Sequence, residues 1–315
     1  MLAAIDLGTN NCRLLIASPG HDGSMRIVDS FSRIVRLGEG VARTGVLGEA
    51  AMDRTVAALK ICAERIDRYR VRHVRAVATE ACRQAANAQV LVDRVAREAG
   101  IALSIVTAAE EARLAAIGCA PLIGEEFDGA LVFDIGGGST ETIWLRRFGG
   151  KPLVVHFSSV SLGVMSLAEA SGERSDPARF AAMREDMRAR FAAARREMDK
   201  KGAFDIAKNH LLGTSGTVTT LAGVALGLPR YVRARVDTSW HDCADILAVV
   251  QKLVAMDRKA RARVGCIGEE RADLIVPGCA IFAAIHDVWP CTRLRVADRG
   301  LREGILRELM AEARR

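Results

Sequence analysis

Two aspartates occupy matching places in the chain. Asp6 and Asp134 each sit one residue before the end of a short apolar run, residues 2–7 and 130–135, and each is followed two positions later by a glycine, Gly8 and Gly136. Such an aspartate carries its carboxylate into the space beyond a sheet, where it can hold Mg²⁺ directly or through water. It can equally do no more than stabilise its own turn by local hydrogen bonds. Glu141, just after the second turn, is the natural third acidic partner. Three glycine-bearing turns accompany these acids: Gly8-Thr9-Asn10-Asn11, Gly136-Gly137-Gly138-Ser139-Thr140 and Gly213-Thr214-Ser215-Gly216-Thr217, the last opening a helix that runs to Gly223. Small residues let backbone N–H groups approach an anion, and a helix N-terminus adds a favourable dipole. None of the three carries the lysine of a P-loop, and Gly136-x-Gly138-x-x-Glu141 misses the dinucleotide fingerprint at its last position. One such turn is ordinarily just a turn; three of them, two with an aspartate at the same offset, are harder to dismiss.

Hydrolysis of a phosphoanhydride needs donors for phosphate oxygens, a metal to neutralise charge, a base for water and cations for the developing charge. Glu110-Glu111-Ala112-Arg113 follows a strand and opens a helix, where acids are favoured by the helix dipole whether or not they do chemistry. Arg83, in Thr79-Glu80-Ala81-Cys82-Arg83, follows another strand end and can reach phosphate or lie solvated on the surface.

These residues must be placed by alternating strands and helices. Apolar runs at 2–7 and 12–17, and at 130–135 and 141–145, read as two hairpins, and aligning Asp6 with Asp134 makes them a weak internal repeat. Between them come a helix over 49–69, a strand at 74–78, a helix over 88–100, a strand at 102–106 and a helix over 110–117. Residues 119–122 and 124–129 suggest a boundary. Beyond the second hairpin lie a strand at 153–157, a charged helix over 177–200, a strand and turn at 210–216, and a closing amphipathic helix over 301–310. The alternation argues for α/β layers.

With 315 residues, half of them hydrophobic, the chain is long enough for two domains. Only 4% are aromatic, which disfavours base-stacking nucleic-acid binding. A net charge of +7 attracts polyanions without naming one. The eight cysteines form no C-x-x-C pair and are expected as reduced, buried thiols of a cytoplasmic protein. No run is long enough to cross a bilayer, and the first residues are expected to be neither a signal peptide nor a span.

Together these segments resemble the exopolyphosphatase / guanosine pentaphosphate phosphohydrolase family of the actin, sugar-kinase and Hsp70 superfamily. The resemblance runs in order through AAIDLGTNNCRLLIA, VATEACRQAANA, AAEEARLAAIG, VFDIGGGSTETIWL, SVSLGVMSLAE, LLGTSGTVTTLAG, RADLIVPGCAIFAAI and ADRGLREGIL. It implies an α/β fold of two ribonuclease H-like, actin-like ATPase domains flanking an active-site cleft, drawn here as residues 1–121 plus 297–315 and residues 122–296. It implies that Glu111 is the base and that Arg83 engages the phosphoryl group. It ties Asp6, Asp134 and Glu141 to Mg²⁺, with Mn²⁺ as a substitute. Thr9, Asn10, Gly136, Gly137, Gly138, Ser139, Thr214, Ser215 and Gly216 match the substrate cradle. Larger members carry a C-terminal HD-like region that is expected to be absent here, and Arg299 stands where many members have a small residue.

The expected activity is exopolyphosphatase, with inorganic polyphosphate as substrate. Guanosine pentaphosphate hydrolysis is the alternative, with guanosine penta- or tetraphosphate as ligand. A non-catalytic polyphosphate or alarmone sensor would not need Glu111, and a kinase would need an acceptor other than water. No membrane partner is expected, and a homodimer is compatible. The Arg-rich stretches 179–208 and 258–263 are either a polyanion track or solvated helix faces.

Overall fold

A computed structural model describes residues 1–20, 24–149, 151–171 and 177–313. The chain divides into two compact units, one made of residues 1–118 and 300–315 and the other of residues 119–299.

The first unit opens with strands β1 (Leu2–Leu7), β2 (Asn11–Pro19) and β3 (Met25–Ile34). There follow α1 (Val41–Thr44), α2 (Glu49–Arg68), β4 (His73–Ala78), α3 (Glu80–Gln84), α4 (Ala88–Ala99), β5 (Leu103–Ile105) and α5 (Ala108–Cys119). The sheet order is β3-β2-β1-β4-β5, antiparallel on the β2 side of β1 and parallel on the β4 side. A strand buried on both faces reads as a continuous apolar run, and β1 is such a strand. Ala3, Ile5 and Leu7 face a core shared with α2 and α4, whereas Leu2 and Ala4 face a second, smaller core. Helix α4 presents Ala88, Leu91 and Val95 to the first of these at helical spacing. It stops at Gly100, whose φ of 66° lets its N–H return to the Ala96 carbonyl.

The second unit contains β6 (Gly129–Ile135), β7 (Thr140–Phe148), β8 (Lys151–Val160), α6 (Val164–Ser171), α7 (Pro177–Asp199), β9 (Asn209–Thr214) and α8 (Ser215–Ala225). It continues with α9 (Arg233–Val236), β10 (Trp240–Asp242), α10 (Cys243–Ala255), α11 (Arg258–Ala262), α12 (Ile275–Val288) and β11 (Arg293–Ala297). Its sheet runs β8-β7-β6-β9-β11-β10. As in the first unit, the leading strand pairs antiparallel with the next and parallel with a later one, here β9. The weak repeat in sequence is thus a repeat of strand order. Helix α12 is apolar all round, with residues 275–285 all buried; such a helix has to be enclosed on every side. Around it in one core lie Met183, Met187, Phe191 and Met198 of α7, together with residues of α8 and α10.

The last helix, α13 (Leu301–Glu312), belongs to the first unit. Its Leu301, Ile305, Leu306 and Leu309 cover Leu2, Ala4, Leu15 and Val77 on the second face of that sheet, beside Leu114 of α5. Helices α5 and α13 approach at backbone distance: a Cβ on Gly304 would overlap the Leu114 carbonyl, and one on Gly118 would overlap the Gly300 carbonyl. All eight cysteines are buried and unbridged.

Candidate active site

In the first unit, β1 and β2 carry Asp6 and the turn that holds Thr9 and Asn10. The turn is braced from outside. The Asn10 carbonyl accepts the N–H groups of Val35 and Arg36 at 2.8 and 3.0 Å, and the Thr9 carbonyl accepts that of Gly38 at 2.9 Å. Gly38 has to be glycine because a Cβ there would overlap the Thr9 methyl. The Asn10 Oδ1 is buried without a partner, which leaves an amide able to meet a ligand. Burial pushes the Asp6 carboxyl above its ordinary value; Arg13 and Arg302 pull it back and Glu303 adds to the rise.

Arg83 lies at the end of α3, and its guanidinium joins two carboxylates. Its Nε and Nη2 donate to Glu80 Oε2 at 2.9 and 2.7 Å, and its Nη1 donates to Glu111 Oε2 at 2.7 Å and to the Val106 carbonyl at 3.0 Å. Burial opposes the charge of Arg83, but the two carboxylates more than restore it, so the group stays cationic. The neighbouring acid, Glu110, has a different task. Arg113 and Arg75 bind it, and both also bind Glu308 of α13. Hydrogen bonds from Arg113, and then Arg75, hold its carboxyl down at about 2. A carboxylate that weakly basic, with both oxygens committed, is a poor base for water. Thr107 starts α5 by accepting the Glu110 N–H on its hydroxyl and the Glu111 N–H on its carbonyl. Of the Glu110-Glu111 pair, then, one acid ties helices together and the other faces Arg83.

In the second unit the sheet register builds a row. Glu141 of β7 lies directly opposite Asp134 of β6, and Asp134 is in turn level with Thr214 of β9. Directly opposed residues of an antiparallel pair share a face with Cβ atoms roughly 5 Å apart, so the two carboxylates are neighbours. Ser159 of β8, opposite Glu141, donates its hydroxyl to Glu141 Oε1 at 2.9 Å. The turn at Gly136, Gly137, Gly138 and Ser139 is held by α6: the carbonyls of Gly136 and Gly137 accept the N–H groups of Val164 and Met165 at 3.0 and 2.8 Å. Among the described residues the Gly137 and Gly138 N–H groups donate to nothing, so the turn offers amides rather than carbonyls.

Thr214, Ser215 and Gly216 form the passage from β9 into α8. Thr214 donates its hydroxyl to the Arg299 carbonyl at 2.8 Å, and Arg299 is itself ion-paired to Asp237. Ser215 has a φ of 96°, a left-handed backbone that a serine adopts only at a cost of about 1–3 kcal/mol when its surroundings impose it. Its buried Oγ has no partner. A strained residue, an unsatisfied hydroxyl and the first amides of an 11-residue helix without an acidic first turn are features that suit an anion.

No group of three or more His, Cys, Asp or Glu side chains among the described residues is arranged to hold a metal ion. The Asp134 and Glu141 pair nevertheless suits Mg²⁺, which keeps several waters and takes one or two carboxylates plus substrate phosphate rather than a full protein cage. Asp6 belongs to the first unit.

Two residues at these places were not singled out from sequence. Glu80 is buried, and its spacing of three from Arg83 on a helix was the available signal. Ser159 gave none, because only the β7–β8 register brings it to Glu141. The Arg-rich stretches are largely neutralised locally, by pairs such as Arg184–Asp287, Arg188–Glu185, Arg195–Asp199 and Arg258–Asp273. That is the arrangement of solvated helix faces rather than of an open track.

Residues 16–313 match the Ppx/GppA phosphatase family. The chain is 35% identical over 290 residues to Exopolyphosphatase 2 of Mycobacterium tuberculosis, covering 89% of this chain and 88% of that one. It is 28% identical over 317 residues to the Guanosine-5'-triphosphate,3'-diphosphate pyrophosphatase of Vibrio vulnificus, spanning 60% of that protein's length. The crystal structure of the Aquifex aeolicus Ppx/GppA family member matches with a TM-score of 0.81 at 29% identity, over 100% of this chain and 98% of the other. The two sheets are those of the two-domain, actin-like ATPase fold seen in that protein. On sequence and fold alike, the chain belongs to the Ppx/GppA phosphatase family.

Proposed function

We propose that this chain is an exopolyphosphatase, a phosphoanhydride hydrolase that releases terminal orthophosphate from inorganic polyphosphate. The observation that carries the reading is the strained, unsatisfied Ser215 at the start of α8, next to Thr214, which is level with Asp134 of the Asp134–Glu141 carboxylate pair. Amides at the Gly136 and Ser215 turns bind the oxygens of the terminal phosphate, and Thr9 and Asn10 of the first turn serve the same chain. Glu111 takes a proton from the attacking water as its oxygen bonds to the terminal phosphorus. The bridging P–O bond breaks, and its electron pair leaves on the shortened chain. Arg83 meets the charge that builds on the phosphoryl oxygens. Mg²⁺, or Mn²⁺ in its place, would be held by Asp134 and Glu141 with Asp6 as the further acid, and would supply charge neutralisation.

Guanosine pentaphosphate is the second substrate to test, because the Vibrio vulnificus relative carries that activity in its name. Eight unbridged cysteines fit a cytoplasmic enzyme; no helix among the described residues is long and apolar enough to cross a membrane. A homodimer belongs to the same proposal and is read by light scattering.

The test is phosphate release with Mg²⁺ from long-chain polyphosphate, guanosine pentaphosphate and ATP at equal concentrations of chain ends. Release should be fastest from polyphosphate, and Glu111→Ala should lose about 10²–10⁴-fold in kcat while still binding the chain. Silence of the wild type on all three would favour a sensor, and an active Glu111→Ala would remove the assigned base.

A further inference from the structure

The proposed base does not stand alone: Arg83 is shared between Glu111 and Glu80, and the sharing is unequal. Glu80 Oε2 takes two donors of the guanidinium, Nε and Nη2, and leaves Nη1 to Glu111 and the Val106 carbonyl. The other oxygen, Oε1, accepts the Gln84 Nε2 at 2.8 Å. Glu80 is 6% exposed and saturated with donors, so it is neither a metal ligand nor a base. Its neighbours explain why it is tolerated there: the guanidinium and the Gln84 amide satisfy both oxygens of a carboxylate that would otherwise be costly to bury.

We propose that Glu80 is a positioning residue for the reaction: it anchors Arg83 and draws off its charge, so that Glu111 stays basic enough to receive the proton of water while Nη1 remains turned toward Glu111. The proposal rests on Glu111 being the base. An arginine paired to a single carboxylate favours the ionised form of that carboxylate strongly and weakens it as a base; a second carboxylate on the same guanidinium opposes this. The other charged groups around α5 do not perform the task. Glu110, Arg113, Arg75 of β4 and Glu308 of α13 are bound to one another.

The experiment is the pH profile of kcat and KM for long-chain polyphosphate with Mg²⁺, in the full chain, for the wild type, Glu80→Gln, Glu80→Asp and Gln84→Met. Glu80→Gln keeps the shape and removes the charge. The ascending limb of its kcat profile should move to lower pH by about half a unit or more, with kcat about tenfold lower and KM no higher. Glu80→Asp should keep the limb in place. Gln84→Met, at an exposed position, takes the competing donor from Glu80 and should move the limb the opposite way, by roughly a few tenths of a unit. A folded Glu80→Gln with an unmoved limb, or equal losses in the Gln and Asp variants, overturns the proposal. Should Glu80→Gln not fold, an unmoved or downward limb in Gln84→Met overturns it as well. Glu111→Ala run alongside separates the two levels. If it is active, the base is misassigned; if it is dead while the limb stays put in Glu80→Gln, only the role of Glu80 falls.

Discussion

Substituting glutamine for Glu110 separates structure from chemistry at two adjacent acids. Glu110 receives three hydrogen bonds from Arg113 and Arg75, which also bind Glu308, so the cluster fastens α5 and α13 to β4. Its carboxyl falls from 4.5 to about 2 in the fold. A depression of roughly 2.5 units corresponds to a ceiling of about 3.4 kcal/mol. The side chain is 28% exposed and its Arg113 partner 46% exposed, so solvent screening reduces the expected loss to roughly 1–2 kcal/mol. Because the folded-state value is the lower one, this stabilisation is complete above the unfolded value of 4.5 and disappears as the pH falls toward 2. Urea unfolding of the wild type and Glu110→Gln at pH 7, 4 and 2.5 should give a gap that is widest at pH 7 and cut to about a quarter at pH 2.5. Phosphate release at pH 7 should fall no more than a few-fold. A gap that is constant with pH would refute the ion-pair account, and a collapse of turnover as deep as in Glu111→Ala would refute the division of labour.

Other substitutions test the remaining parts. Ser215→Gly relieves the positive φ and removes the hydroxyl, so thermal stability should rise by about 0.5–1 kcal/mol while KM for polyphosphate increases; parallel melting curves and kinetics read both. Glu141→Gln should raise the Mg²⁺ concentration for half-maximal rate about tenfold with little change in fold, measured by metal titration of activity and by circular dichroism. Gly304→Ala drives a methyl into the Leu114 carbonyl and should cost about 1–3 kcal/mol, seen as a lower urea midpoint.

The chemistry-bearing elements were legible because their signals are local. An apolar run ending in an aspartate and a small-residue turn reads as a strand running into a loop, and β1 and β6 are such strands; β9 runs into its turn without the aspartate. The alignment of Asp6 with Asp134 reads directly onto the strand pairing, where both leading strands sit between an antiparallel and a parallel neighbour. What escaped was set by distant partners. Strand β3 mixes Arg26, Asp29 and Arg33 with apolar residues because it is an edge, and shows no clean period of two; β11 does alternate Arg293-Leu294-Arg295-Val296, but over only five residues, too short a run to stand out. The pairing of Arg83 with Glu111 spans 28 residues, and that of Ser159 with Glu141 depends on a register that shifts at Trp144. The different fates of Glu110 and Glu111 cannot be read from EEAR at all. They follow from their partners, Arg75 and Arg113 for Glu110 and Arg83 for Glu111, which only the packing of α5 brings within reach.

The return of α13 to the first unit has a consequence for synthesis on the ribosome. Leu2, Ala4 and Leu15 are made before all of residues 119–299, yet the helix that covers them is made after that whole unit. At roughly 5–20 residues per second, that face waits on the order of fifteen to sixty seconds for its cover. The second unit is continuous in the chain and can close by itself during the wait, whereas the nascent first sheet must be shielded, by a chaperone or by loose packing of its own chain, until α13 follows.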